Sequence, residues 1–133
     1  MSYPDFYPHP VRYVMQKDTH ISKVFLTGEY VYKIKKPVNL EFLDFSSLAK
    51  RLHYCELEVT LNRRLSDKVY LDVIPITESD KRFCLSGAGN EVEFAVRMHQ
   101  LPDACSLSSM LKQNRITIEQ IETLASTLTD FYV

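Results

Sequence analysis

The hydrophobic residues of this chain change their spacing twice, and that change constrains the fold more than any motif does. "VRYVMQ" and "SKVFLTGEYVYKIK" are rich in β-branched and aromatic residues, with a turn signal at Gly28, and read as three antiparallel strands. Through "FLDFSSLAKRLHYCELEVTLNRRLSDK" the period becomes helical. At about 100° per residue, Leu48, Leu52, Cys55 and Val59 fall in a narrow arc, extended by Leu61 and Leu65, that is expected to face a sheet. "VYLDVIPI", "RFCLSG" and "EVEFAVRMHQLP" return to strand composition, and the glycines of "SGAGNE" are expected to close a hairpin between the last two. After Pro102 come a short helical piece around "SLSSMLKQ" and a final helix. Thr117 and Gln120 open that helix at capping-box spacing, and Ile118, Ile121, Leu124, Leu128 and Phe131 form its apolar stripe.

The resulting order, β-β-β-α-β-β-β-α-α, lacks alternating βαβ units. The expected class is therefore α+β: a twisted antiparallel sheet of five to six strands with one packed long helix, followed by two C-terminal helices. Pro4, Pro8 and Pro10 deny helix and central strand to the first ten residues, which are expected to form an extended lead-in on a surface, with order beginning near Val11. The last helix carries no stop signal, as if cut mid-element.

A chain of 133 residues is the size of one ordinary domain, long enough to bury a core. With 45% apolar residues, 25% charged residues and a formal net charge of -1, it presents no bulk field for nucleic acid or membrane. Cys55, Cys84 and Cys105 are odd in number and widely spaced, which fits neither a disulfide framework nor a metal motif and favours a reduced, cytoplasmic setting. The first residues do not read as a secretory leader, and no run approaches the roughly 18 apolar residues of a membrane span.

The residues that ask for chemistry are the lysines of "GEYVYKIKKPV". Strand alternation places Val31, Lys33 and Lys35 on one face and Tyr32, Ile34 and Lys36 on the other. A solvated strand face accounts for Lys33 unless a carboxylate meets it, because a clefted ammonium needs a partner. The following helix offers one: Glu58 falls inside the apolar arc. It too has a bland account, as a helix-flank residue paired with Arg51 or Asn62. Together, a strand lysine and an inward helix glutamate about 25 residues later match the pair that orients a lysine onto nucleotide phosphates in kinases.

"YVYK", Tyr30 to Lys33, can be laid on the kinase strand pattern V-A-I-K. The longer run "THISKVFLTGEYVYKIKKPVNLEFLDFSSL", followed by "LNRRLSDKVYLDVIPI" and "VEFAVRMHQLP", resembles the amino-terminal part of bacterial aminoglycoside-phosphotransferase-like proteins, in some of which this region precedes a P-loop ATPase domain. The resemblance implies a kinase-like small lobe over residues 1–101 and the first helices of a large lobe over 102–133. It implies that Val24 and Val31 roof an adenine, that Lys33 contacts the phosphates while Glu58 holds its ammonium, and that Met98 guards the back of the pocket. His99, Gln100 and Leu101 become the hinge whose backbone reads the adenine edge. The implied cofactor is ATP or GTP with magnesium, and the implied partners are the nucleotide and the C-terminal lobe.

Two departures qualify this. The turn "MQKDTHIS" has no glycine where kinases carry G-x-G-x-x-G, leaving Thr19, His20 and Ser22 as candidate phosphate contacts, with His20 equally an ordinary turn histidine. No H-G-D and no D-F-G occurs, so these residues lack the base and metal ligands of phosphoryl transfer and are not expected to catalyse alone. "GAGN" lacks the remaining features of a nucleotide loop. Competing readings are a Lys/Tyr patch for single-stranded nucleic acid, built on Lys33, Lys35, Lys36, Tyr30 and Tyr32, and a non-catalytic interaction module. Nearby Glu29, Glu41 and Asp44 dilute the patch, so nucleic acid is an unlikely partner. The stripe of the last helix makes a homo-oligomer plausible.

Overall fold

In a computed structural model, which describes residues 1–102 and 106–132, the chain forms two compact units, Met1–Gln100 and Leu101–Val133. The first contains strands β1 (Met15–Asp18), β2 (Ser22–Leu26) and β3 (Tyr30–Lys35), a short ribbon of β4 (Asn39–Leu40) and β5 (Leu43–Asp44), helix α1 (Leu48–Arg63), and strands β6 (Tyr70–Ser79), β7 (Arg82–Leu85) and β8 (Asn90–His99). All except β4 and β5 join one six-stranded antiparallel sheet in the order β1-β2-β3-β8-β6-β7. The class is α+β, as the change of period requires.

Each face of this sheet has its own cover. On one, α1 packs Cys55 and Val59 against Phe94 and Val96, with Leu48, Leu52 and Met98 at the margin. Ser47 caps the helix, its hydroxyl accepting from the Lys50 amide at 3.2 Å. Leu61 and Leu65 do not join this face. Both are exposed, and the helix ends at Arg63, so the predicted arc stops at Val59.

The other face is covered by the amino-terminal segment. Pro4–Phe6 forms a single 3-10 turn, and Tyr7 enters the cluster of Phe25, Tyr32, Ile74, Ile76, Leu85 and Ala95. Order therefore begins well before Val11, and Val11 and Val14 pack against the same cluster, leaving β1 to start at Met15. The prolines exclude an α-helix interior and a central strand, but they do not exclude a 3-10 turn or the burial of Tyr7.

The "SGAGNE" segment does not close a hairpin, since β7 pairs with β6 and not with β8. The hairpin is one element earlier. Asp80 and Lys81, at φ of 51° and 62°, form a two-residue turn between the paired Ser79 and Arg82, the conformation a tight antiparallel connection demands. Gly89 serves a different need: at φ 128° a Cβ there would lie 2.4 Å from the Glu78 carbonyl oxygen, so only glycine passes so close to β6.

The second unit contains α2 (Leu107–Lys112) and α3 (Ile118–Tyr132). The capping box forms reciprocally: the Gln120 amide donates to Thr117 Oγ1 at 3.2 Å and the Thr117 amide to Gln120 Oε1 at 2.9 Å. Cys105 lies outside the described residues. Among the described residues no helix is long and apolar enough to cross a membrane.

Candidate functional site

Lys33 sits mid-strand in β3, opposite Val24 of β2 and Val96 of β8. Glu58 is the residue before buried Val59 on α1, and both ends of that helix are tied to the sheet unit. Arg51 donates from Nε to Glu93 Oε1 at 3.1 Å and from Nη1 to the Phe45 carbonyl at 2.9 Å, and Arg63 donates to the carbonyls of Tyr70 and Leu71. The helix can therefore rotate little, and Glu58 is held facing β3.

The carboxylate of Glu58 is shared by two lysines. Lys33 Nζ donates to Oε1 at 2.7 Å and Lys35 Nζ to Oε2 at 2.9 Å. Alternation along β3 puts both ammonium groups on this face, as the sequence predicts for Lys33 and Lys35 alike. The two differ in surroundings. The Lys33 side chain is 25% exposed, whereas that of Lys35 is 6% exposed and its ammonium lies 4.9 Å from the ring centroid of buried Phe45. Burial pushes the Glu58 carboxyl upward, but hydrogen bonds and charge from Lys33 and Lys35 outweigh it and hold the group below the usual carboxylate range. The sequence singled out Lys33 and Glu58. It carried the signal for Lys35 as well, since i and i+2 share a strand face, but nothing in it marked Phe45.

Two clefts meet at Lys33. One, of about 560 Å³, is bordered by Thr19, His20 and Ile21 of the β1–β2 turn and by Leu40, Phe42 and Leu43 of the β4–β5 ribbon. A smaller one, about 270 Å³, takes in Lys33, Lys35 and Glu58 together with Leu43, Phe45 and Leu57. The ribbon is the element the sequence reading missed. Its strands are only two residues each, too short for periodicity to register.

The other candidate residues are dispersed differently. Val24 shares the face of Lys33 through their pairing, Val31 is buried opposite Met98, and Met98 packs against the Cys55–Val59 cluster; none of the three borders either cleft. The His99 amide donates to the Val69 carbonyl at 2.8 Å and the Gln100 amide to Glu29 at 2.9 Å, so both are already committed within the sheet unit. The Gln100 side chain in turn accepts from the Gly28 amide at 2.8 Å, and the His99 ring stacks on Tyr30 with centroids 5.4 Å apart. Leu101 is exposed and opens the second unit.

In the β1–β2 turn, Thr19 Oγ1 accepts from the Ser22 amide at 2.9 Å and Lys36 Nζ donates to the Thr19 carbonyl at 2.7 Å. His20 is exposed at the cleft edge. The Ser22 hydroxyl, by contrast, is fully buried, which removes it from the candidate phosphate contacts. The Lys/Tyr patch is dismantled by the same geometry: Tyr32 is fully buried and accompanies His9, whose Nε2 lies 2.7 Å from its hydroxyl, while Lys33 and Lys35 face Glu58. Tyr32 is thus withdrawn from any open row of rings and lysines for stacked bases.

No protein-family profile matches the chain. It is 28% identical over 127 residues to the uncharacterized proteins Rv2004c of Mycobacterium tuberculosis and Mb2027c of Mycobacterium bovis. The match covers 93% of this chain but 24% of each relative, so the chain spans about a quarter of their length. Among solved structures, that of WbdD is similar over 84% of this chain and 23% of its own, with 15% identity and a TM-score of 0.35.

Proposed function

We propose that the first unit is the nucleotide-binding small lobe of a kinase-like phosphotransferase, with the Lys33 ammonium taking phosphate oxygens of ATP or GTP and Glu58 keeping it in place. The observation that carries this is the 2.7 Å contact between Lys33 and Glu58 beside a cleft of about 560 Å³. Its setting supports the reading: the lysine is on the third strand of an antiparallel sheet, and the glutamate is on the helix that follows, as in the kinase pair.

The fit to a phosphate is through charge. Two ammonium groups face one carboxylate, and the lysine with the more accessible side chain borders both clefts. Magnesium is a poorer match to the described residues. Both Glu58 oxygens are engaged by lysines, and no three His, Cys, Asp or Glu side chains among the described residues group to hold a metal. The share of the reaction assigned to these residues is therefore binding and orientation of the phosphates, with the metal and the base supplied from elsewhere.

Isothermal titration of the 133-residue chain with ATP and GTP, wild type beside Lys33→Ala, tests this. Saturable binding that weakens at least tenfold in Lys33→Ala is the expected result. Absence of binding by the wild type, or equal binding by the variant, would overturn the assignment. A single-stranded oligonucleotide titrated in parallel is expected to give no saturable heat.

A further inference from the structure

We propose that Lys35 is a positioning residue: it holds Glu58, and through it α1, against the sheet, so that Lys33 can offer its ammonium to the phosphate of a ligand while Glu58 stays in place. The identity of the ligand rests on the nucleotide reading above, whereas the division of labour between the two lysines does not. Three observations carry it.

First, the lysines use separate oxygens of the carboxylate, Oε1 for Lys33 and Oε2 for Lys35, so the Lys35 contact does not depend on the Lys33 contact. Second, the surroundings are unequal. Lys35 is 6% exposed, stands over the Phe45 ring and is paired in register with fully buried Ser22, whereas Lys33 is 25% exposed and borders the larger cleft, which Lys35 does not reach. Third, the charges do not cancel. Two ammonium groups meet one carboxylate, and the other titratable groups acting on Glu58, Tyr70 and Cys55, are both kept protonated by burial, the thiol being pushed up to about 11. A further carboxylate in the same surroundings, Glu93, is taken by Arg51. One positive charge is left over on the side where the cleft opens.

With a single lysine, a ligand phosphate would compete for the one ammonium that pairs a 13% exposed carboxylate, and weakening such a pair is costly. A second, buried lysine removes that obstacle, because Glu58 keeps a full partner while Lys33 is shared with the ligand. Helix α1 then need not move when the site fills.

The test is NMR on the full 133-residue chain, reading the lysine 15Nζ and glutamate 13Cδ signals, with inorganic pyrophosphate and MgATP as probes. In the wild type, Lys35 Nζ is expected to give a slowly exchanging ammonium signal and Lys33 Nζ a fast one, and pyrophosphate is expected to shift Lys33 and leave Lys35 in place. Lys33→Met should leave the Glu58 carboxyl titrating below the usual range. Lys35→Met should move it upward and speed amide hydrogen exchange in α1 at least tenfold, with Lys35→Arg restoring both. Should Lys35→Met fail to fold, the wild-type ammonium signals and Lys33→Met still decide the question. A pyrophosphate shift at Lys35, a Glu58 titration raised as much by Lys33→Met as by Lys35→Met, or one that stays raised in Lys35→Arg, overturns the proposal. If neither probe shifts Lys33, the ligand-binding half fails together with the nucleotide reading, while the titrations still decide the positioning half.

Discussion

Glu58 neutralises two lysines at once, and its loss should be felt most at Lys35. Glu58→Ala leaves the buried Lys35 ammonium over the Phe45 ring without its carboxylate partner, and removing one partner of a buried pair costs about 3–5 kcal/mol. Urea denaturation at neutral pH is expected to show a loss of that order, and a loss under about 1 kcal/mol would mean that the cluster behaves as an exposed pair. The pH dependence has a definite sign. Because the folded carboxyl lies below its ordinary 4.5, the stabilisation is fully present above that value and is lost as pH falls through the lower folded value. Wild type and Glu58→Gln should therefore differ most at neutral pH and converge on acidification. This part of the site was legible in the sequence because helical and strand periods each fix a side-chain direction: Glu58 inside the Cys55–Val59 arc and Lys33 on a strand face need no further information to be placed opposite each other. Ser22 shows the limit of such reasoning, since a hydroxyl in a turn sequence looks available until the turn is built and is found fully buried.

At the scale of elements, the long helix, the strands and the final capping box follow from period and cap chemistry, whereas the connections do not. Hairpin placement went to Asp80–Lys81 rather than to the glycines because β8 is already paired on both edges, with β3 and β6, whereas β6 keeps an edge for β7. The amino-terminal segment was equally illegible. Its prolines speak only about backbone hydrogen bonds, while its burial depends on a groove made by residues far along the chain. Tyr7 packs against Tyr32 with ring centroids 5.1 Å apart, and its hydroxyl donates to the Met1 carbonyl at 2.7 Å. Tyr7→Ala is accordingly expected to cost about 3 kcal/mol, in the range for emptying a buried aromatic site. A shift of the urea midpoint too small to correspond to 1 kcal/mol would show that the segment detaches readily, and that this face of the sheet does not depend on it.

At the scale of the molecule, the two units differ in how far they satisfy themselves. Residues Met1–Gln100 cover one sheet face with α1 and the other with the amino-terminal segment. In the second unit, Ile118, Ile121, Leu124 and Leu128 of α3 are 76%, 50%, 46% and 41% exposed, and they recur at helical spacing on one stripe. Four large aliphatic side chains in a row on a regular helix exceed what isolated surface hydrophobes explain, and a second copy of the same stripe is a self-complementary cover for it. Light scattering coupled to size exclusion should then find the 133-residue chain as a concentration-dependent dimer. The double variant Leu124→Glu with Leu128→Glu should be monomeric, because like charges would face each other across a two-fold contact. A fragment ending at Gln100 should be monomeric and still unfold in one cooperative transition, since both of its sheet faces keep their cover. A full chain that stays monomeric at all concentrations, or a fragment that dimerises as strongly as the full chain, would place the association, or its absence, outside α3.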